Sequence, residues 1–321
     1  MAPMTDAGEP DLGRSGGDAT CPEEVPEALS RMPAKRWFYA REAYFREAWS
    51  EAARRWPRAV EPLRAHAFIL FKPDGIAARC VDRALACLEE AGFDAVHHAR
   101  FRFHRHTIRE LWRYELNAAT LQRLEAIDVL LPASESLLVF LRDGSGSGES
   151  AADRLRHMKG PALVHLRQPH HLRSRIGAGT GLLNLIHTPD EPADVIREMG
   201  VLLDPDERGR AFAAMDGGAP SGASVRAAAE LLYEQALAHD LDFNACAARM
   251  EAACTRVAAG PAVEKVREGC REARRAGPID WRSILGAADA AGLPLTKWDR
   301  IVFAAGCTET NVPGVQPLLK A

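Results

Sequence analysis

The chain has 321 residues, of which 47% are hydrophobic and 26% are charged, enough to bury a sizeable core in one or two domains. Its formal net charge is -3, which argues against a broad surface for nucleic acid or membrane, so we expect neither as a partner. The seven cysteines form no CxxC pair, which argues against a zinc site and favours reduced thiols in a cytoplasmic protein.

The N-terminal part contains two different kinds of sequence. Residues 1–35 are rich in Gly, Pro, Asp and Glu, and we expect a disordered tail without the pattern of a signal peptide. Residues 36–62 predict an amphipathic helix, because Phe38, Phe45 and Trp49 recur at helical spacing. Aromatic and arginine side chains together can stack on nucleic acid, but for so neutral a chain we favour docking on the following domain.

Residues 63–205 alternate short apolar runs with amphipathic segments. The apolar runs predict buried strands at 67–71, 93–103, 137–141 and 182–187. The amphipathic segments predict helices at 76–91, 150–158 and 191–203, and one or two helices at 107–127. This order is that of a ferredoxin-like antiparallel α/β sandwich, so we expect an α+β fold.

Two connections in this region stand out. Lys72-Pro73-Asp74-Gly75 follows the first strand and predicts a turn. Residues 159–182 are rich in Gly, Pro, His and Arg, and a loop this long inside a compact domain is usually functional or disordered.

Residues 206–321 are Ala-rich and predict an all-α domain, with breaks near Asp242, Gly260, Gly277 and Gly292. The sequence leaves open a separate helical domain or an extension wrapped on the first. We expect a chain that ends near residue 205 to fold by itself.

The histidines and glycines give weak signals when each is taken alone. His97-His98 and His104-x-His106 lack carboxylate or thiolate partners at metal-ligand spacing, so we expect no metal site formed by protein residues alone. No P-loop motif is present, and the glycines of 177–181 do not lie between a strand and a helix. His187 ends an apolar run before a helix that bears Glu198, a position that is more often structural than catalytic.

Two motifs at matching separation resemble the nucleoside diphosphate kinase family. They are FILFKPDG and, about a hundred residues later, NLIHTPDEPADVIRE, and the resemblance covers about residues 65–203. That family opens with a strand that runs into a Lys-Pro-Asp-Gly turn. It closes with Asn-x-x-His, a Ser-Asp pair and a helix that carries a glutamate. Both motifs together are much more specific than either alone.

The resemblance implies catalytic roles for three residues. His187 matches the nucleophile that becomes phosphohistidine, and Glu198 matches the carboxylate that orients its imidazole ring. Lys72 matches the lysine that contacts the phosphate and ribose of the nucleotide. The implied cofactor is Mg²⁺ bound to the phosphates of ATP or another nucleoside triphosphate.

The resemblance also implies further nucleotide-binding residues. Asn184 matches an asparagine near the ribose hydroxyl, and Tyr114 matches a tyrosine of a mobile helical hairpin. Arg156 matches one phosphate-binding arginine and Arg173 a second, although Arg175 competes for the second position.

The sequence departs from the family at the nucleotide contacts. Pro189 replaces a serine that supports the histidine–glutamate arrangement, and Ala162 replaces a phosphate-binding threonine. No aromatic residue matches the one that stacks on the base, Leu121 being the nearest side chain. Candidates to replace these contacts are His170, His171 and Arg175 in the long loop, together with side chains of the C-terminal helices.

Two functions therefore compete. The favoured one is a phosphotransferase that forms phosphohistidine and passes the phosphoryl group to a nucleotide or a specialised small-molecule acceptor, with slow turnover of common nucleoside diphosphates. The alternative is a catalytically degenerate domain that binds nucleotide as a sensor or scaffold. The family forms symmetric oligomers, so a homo-oligomer is expected unless the flanking helices block its surfaces.

Overall fold

The computed structural model describes residues 22–319, in which N-terminal helices precede an antiparallel sheet surrounded by helices. The N-terminal helices are α1 (Pro33–Tyr39), α2 (Ala43–Arg55) and α3 (Val60–Ala65). The strands are β1 (His66–Phe71), β2 (Phe93–Phe101), β3 (Ser136–Asp143) and β4 (Ile186–His187). The helices between the strands and after β4 are α4 (Pro73–Ala77), α5 (Val81–Glu90), α6 (Arg105–Leu111), α7 (Arg113–Leu116), α8 (Leu121–Leu130), α9 (Ala151–Lys159), α10 (Leu172–Arg175) and α11 (Pro192–Leu202).

The sheet has the order β2-β3-β1-β4, and each neighbouring pair is antiparallel. Every residue of β1 is buried, so both faces of this strand are covered, as its continuous apolar sequence requires. This topology confirms the predicted α+β, ferredoxin-like sandwich.

The Lys-Pro-Asp-Gly segment differs from its prediction. It is the start of a short helix, since Pro73 occupies the first position of α4, where a missing N–H costs nothing. The helix predicted at 76–91 is divided into α4 and α5, because Arg79 takes a left-handed conformation (φ 53°).

The strand predicted at 182–187 is shortened to β4. Leu185 has a φ of 66°, which interrupts the extended chain, and its N–H donates to the carboxylate of Asp74 (2.8 Å). Its carbonyl accepts from the N–H of Lys72 (3.0 Å). These bonds join the start of α4 to the segment that carries His187, although the two are more than a hundred residues apart in sequence.

The N-terminal residues within the described range are packed against α11. The disorder expected for residues 1–35 falls partly on 1–21, which lie outside the described residues. Val25 and Leu29 are fully buried, and the hydroxyl of Ser30 donates to Glu191 at the start of α11 (2.6 Å). These contacts order the last part of the segment that the composition predicted to be disordered.

The helix expected at 36–62 consists of α1, α2 and the start of α3, with breaks on either side of α2. The second break contains Pro57, whose ring disfavours the helical conformation at the preceding residue. Helix α2 packs closely on α11, where a side chain at Gly200 would overlap the Tyr44 carbonyl. Docking on the domain was therefore the correct interpretation of this segment.

Beyond α11 the described chain is helical. Its helices are α12 (Pro205–Met215), α13 (Gly222–Gln235), α14 (Phe243–Ala253), α15 (Pro261–Ala276), α16 (Trp281–Ala290) and α17 (Lys297–Cys307). Helices α12 and α13 contact β2 and β3, while α14 to α17 pack on one another and α17 contacts α8. The hydrophobic core runs without interruption from the sheet into these helices. An α+β domain followed by a helical region is thus confirmed, and the helical region wraps on the first.

Within residues 22–319, no helix is both long and apolar enough to cross a membrane.

Candidate functional site

A cavity of about 570 Å³ opens where the end of β4 meets α8, the end of α9 and the long loop. Five of the predicted site residues line it: Lys72, Arg156, Arg173, Asn184 and His187. The cavity also contains aliphatic side chains, which are Leu116, Ile127, Leu130, Leu131 and Leu182. One part is therefore cationic and another part is apolar.

His187 is fixed by a carboxylate on the following helix. Its Nε2–H donates to Oε2 of Glu198 (2.7 Å), and Glu198 is nearly buried on α11. In the part of the chain that the structure describes, Nδ1 of His187 has no hydrogen-bond partner. A carboxylate that holds the proton on Nε2 leaves the lone pair on Nδ1, which is the state that a nucleophilic imidazole needs.

An aromatic side chain packs against the imidazole, and it is Trp112 instead of Tyr114. The rings of Trp112 and His187 meet edge to face, with centroids 5.4 Å apart, and Trp112 lines the main cavity. Tyr114 packs against Phe38 and faces a second cavity of about 260 Å³, which His187 and Glu198 also line. Trp112 and Tyr114 lie only two positions apart around the start of α7, so the sequence alone does not show which of them faces His187.

Lys72 is buried and lies at the start of α4. Its Nζ donates to the carbonyl of Leu182 (3.1 Å) and lies 3.4 Å from Oδ2 of Asp74. Burial lowers the pKa of Lys72, and the neighbouring Asp74 opposes that change. The lysine is thus held at the cavity wall by partners that do not use all of its donors.

The two predicted phosphate-binding arginines differ in their freedom. Arg156 is partly exposed, interacts weakly with Asp153 (3.8 Å) and has a buried Nε–H without a partner. Arg173 is buried, and its two terminal nitrogens donate to the carbonyls of Gly160 (2.7 Å) and Ile186 (3.4 Å). Burial lowers the pKa of Arg173 to about 10, and the charge of nearby Arg167 acts in the same direction.

Only some of the candidate residues in the long loop line the cavity. Arg175 pairs with Glu90 (2.8 Å) and does not line the cavity, so of these two candidates for the second phosphate-binding arginine only Arg173 lies at the site. His171 lines the cavity and His170 does not. The ring of His171 lies against Gly160, which has a φ of 76°. A β-carbon at that position would lie 2.4 Å from the ring, so only glycine fits there.

Two cations of the site had no counterpart in the sequence analysis. Lys159 ends α9, lines the cavity and donates to Asp190 (3.0 Å) and to the carbonyl of Thr188 (3.2 Å). Arg123 projects from α8 into the same cavity. A lysine and an arginine on helices carry no motif, so only the fold could assign them here.

Glu115 is a carboxylate without a partner in the cavity. In the described part of the chain its side chain makes no hydrogen bond or ion pair, and it lines both cavities. Its surroundings disfavour charge and raise its pKa, an effect that His187 opposes and Asp190 strengthens.

The described residues contain no group of three or more His, Cys, Asp or Glu side chains that could hold a metal ion. His97 instead donates to Glu207 of α12 (3.0 Å), which ties β2 to the helical region. Any metal at the candidate site would need ligands from a bound substrate.

Comparison with known proteins assigns the central part of the chain to a family. Residues 65–208 match the family model described as nucleoside diphosphate kinase. The chain therefore carries a diverged domain of the nucleoside diphosphate kinase family. No curated protein matched the sequence.

Several solved nucleoside diphosphate kinases resemble the chain at low identity. The Aquifex aeolicus enzyme is 21% identical over 44% of this chain and 96% of its own, with a TM-score of 0.37. The Halobacterium salinarum enzyme, solved in complex with CDP, is 19% identical over 44% of this chain and 89% of its own, with a TM-score of 0.36. The Pyrobaculum aerophilum enzyme is 16% identical over 44% and 97%, with a TM-score of 0.38.

Proposed function

We propose that this protein is a phosphotransferase in which His187 takes a phosphoryl group from a nucleoside triphosphate and passes it to a second substrate. The observation that carries the proposal is the hydrogen bond from Nε2 of His187 to Glu198 (2.7 Å), which leaves Nδ1 without a partner beside a cationic cavity.

The reaction would proceed by two in-line displacements at phosphorus. Nδ1 of His187 attacks the γ-phosphorus, the bond from phosphorus to the β,γ-bridging oxygen breaks, and the nucleoside diphosphate leaves. An oxygen of the acceptor then attacks the same phosphorus, and the P–N bond breaks to return the imidazole. Glu198 keeps the proton on Nε2 throughout and stabilises the positive charge that the ring gains during attack.

The cavity supplies the positive charge that phosphoryl transfer needs. Lys72, Arg156 and Arg173 would bind the nonbridging phosphate oxygens, since each lines the cavity and retains donors. Asn184 donates to the carbonyl of Gly181 (2.8 Å), which would hold its side chain ready for the ribose. Tyr114 contributes to the wall behind His187, with Trp112 nearer to the ring.

Mg²⁺ would enter on the nucleotide phosphates. The residues that fit it are Glu115, whose carboxylate has no partner among the described residues, and Asp190, which lines the same cavity. When bound, the ion neutralises charge on the phosphate oxygens.

The altered contacts point to a specialised acceptor. Ala162 lines the cavity without a hydroxyl, and Pro189 follows Thr188, whose buried hydroxyl has no partner among the described residues. Losing a hydroxyl-to-phosphate hydrogen bond costs about 1.5–3 kcal/mol, or roughly tenfold or more in affinity. We therefore propose slow transfer to common nucleoside diphosphates and faster transfer to a dedicated small molecule.

The resemblance to the family also predicts a homo-oligomer, and this remains a prediction.

The test is incubation of the full chain with γ-labelled nucleoside triphosphates and Mg²⁺. A base-stable, acid-labile label is expected on the wild type and none on His187→Ala. Transfer from the labelled protein to a panel of nucleoside diphosphates should be slow beside an authentic family enzyme at equal concentration. Turnover comparable to that of the family enzyme would show that the altered contacts do not affect transfer to nucleoside diphosphates.

The second candidate function is nucleotide binding without turnover. It is favoured by Arg173, whose terminal nitrogens both donate to backbone carbonyls, and by the missing hydroxyl at Ala162. A wild-type protein that binds nucleotide and takes no label would establish this alternative.

A further inference from the structure

The C-terminal segment after α17 packs on α7 and on its connection to α8, the elements that form one wall of the main cavity, and its Pro317 and Leu319 line the second cavity. Residues 309–318 follow the connection between α7 and α8 and bond to its backbone. The N–H of Val312 donates to the carbonyl of Ala118 (2.7 Å), and the N–H of Leu318 donates to that of Tyr114 (2.8 Å). Part of the chain that lies outside the family match therefore supports one side of the candidate site.

One side chain of this segment holds Arg123. The Nη1 of Arg123 donates to Oδ1 of Asn311 (2.7 Å), a contact across 188 positions of sequence. The Nε–H of Arg123 is buried and has no partner, and Nη2 has none among the described residues. These two nitrogens form one edge of the guanidinium, which offers two parallel N–H donors. A buried donor without a partner is costly, so this edge suits a ligand.

The surroundings of Arg123 favour a flat, apolar ligand group over a hydrated anion. The aliphatic residues of the cavity lie on the same helix or just beside it, and they are Leu116, Ile127, Leu130 and Leu131. Burial lowers the pKa of Arg123, and the nearby Glu115 opposes this. A nucleobase fits an aliphatic wall, and the phosphates fit Lys72 and the other arginines.

We propose that Arg123, held by Asn311, selects nucleotides whose base is guanine or hypoxanthine; this rests on the proposed nucleotide-binding function. Those bases present two adjacent acceptors, O6 and N7, which match the free donor edge of an arginine. Adenine presents a donor beside N7, which opposes an N–H of Arg123. Pyrimidines lack the second acceptor of the pair. Arg123 thus takes over base recognition at a site where no residue matches the family's base-stacking aromatic.

The test is equilibrium titration calorimetry of the full chain with GDP, IDP, ADP and CDP. GDP and IDP are expected to bind about tenfold or more tightly than ADP and CDP. Arg123→Met should bring all four within about threefold. Asn311→Ala should weaken the preference, and Asn311→Asp should keep it, because a carboxylate still accepts from Nη1. Arg83→Met, on the exposed side of α5, is the matched control and should change nothing.

Each remaining outcome decides against the inference. Wild-type affinities within about twofold for all four diphosphates would overturn it, even if His187 takes a label. A preference that survives Arg123→Met in a variant with wild-type melting would assign base selection to other residues. Absence of binding by any diphosphate would remove both this inference and the proposed function.

Discussion

Among single residues, Glu198 is the charged neighbour that orients the imidazole of His187. Its Nε2 donates to Glu198. In the proposed reaction, attack on phosphorus would place positive charge on the ring, which the carboxylate would stabilise. We predict that Glu198→Gln labels about ten- to a hundredfold more slowly, since a hydrogen bond to a charged group is worth about 1.5–3 kcal/mol. Rapid-quench labelling with a nucleoside triphosphate measures this rate.

The chain offers a matched control for that variant in a second histidine–glutamate pair. His97 donates to Glu207 (3.0 Å) away from the cavity, so Glu207→Gln should label at the wild-type rate. Equal labelling by Glu198→Gln and the wild type would remove Glu198 from the reaction.

Glu115 makes stability depend on pH in a defined direction. Its pKa is raised in the folded chain above the ordinary 4.5, so the folded state binds more protons than the unfolded state between these two pKa values. The free energy of unfolding therefore falls as pH rises through this window. Glu115→Gln cannot ionise, so its free energy of unfolding lacks this decrease. Because Glu115 is more than a third exposed, water screens much of this effect. We predict that the variant matches the wild type at about pH 4 and is only slightly the more stable at about pH 8. Urea unfolding at both pH values measures it, and a constant difference would contradict the assignment.

The sequence allowed part of the site to be predicted at this scale. Lys72, Asn184 and His187 lie in motifs that keep their spacing, so their proximity could be expected. Trp112 and Arg123 could not, because their positions depend on how α7 and α8 turn and on a partner in the C-terminal segment. Side-chain direction around a short helix is not specified by composition.

At the scale of elements, the contact between α2 and α11 depends on a buried ion pair. Arg197 of α11 is 1% exposed and donates through Nε (2.5 Å) and Nη2 (2.8 Å) to Glu42, the residue that directly precedes α2. Arg197 precedes Glu198, so the same contact fixes the helix that orients His187.

We predict that Arg197→Met lowers the free energy of unfolding by up to about 3–5 kcal/mol, because it leaves the buried Glu42 carboxylate with only the longer contact to Arg113 (3.5 Å). The double variant Arg197→Met with Glu42→Leu should recover much of this loss. Urea unfolding is the measurement, with Arg210→Met as the control, since Arg210 forms an exposed pair that water screens. A loss no larger than that of the control would show that the pair does not hold α2.

Element boundaries were harder to predict than element types. The strands could be predicted from runs of apolar residues, and the breaks between the C-terminal helices from helix-terminating Gly and Pro residues. The shortening of β4 and the division of the helix at 76–91 depend on left-handed Leu185 and Arg79. Neither residue type favours that conformation, so only tertiary contacts such as the bond from Leu185 to Asp74 account for it.

At the scale of the whole molecule, the helical region shares the core of the sheet domain. Helices α12 and α13 contact β2 and β3, and buried residues form one continuous cluster. The shared core argues against the expectation that a chain ending near residue 205 folds alone, which stays untested. We predict that such a truncation is insoluble or melts without cooperativity, because it exposes apolar surface of the sheet. Differential scanning calorimetry beside the full chain measures this, and a sharp transition with retained nucleotide binding would contradict it.

Intact-protein mass spectrometry shows whether His187 carries the phosphoryl group. After exposure to a nucleoside triphosphate with Mg²⁺, the full chain should gain the mass of one phosphoryl group. Peptide mapping should place it on His187, and addition of excess nucleoside diphosphate should remove it. An unchanged mass in a protein that binds the nucleotide, or a phosphoryl group that persists in His187→Ala, would contradict the account.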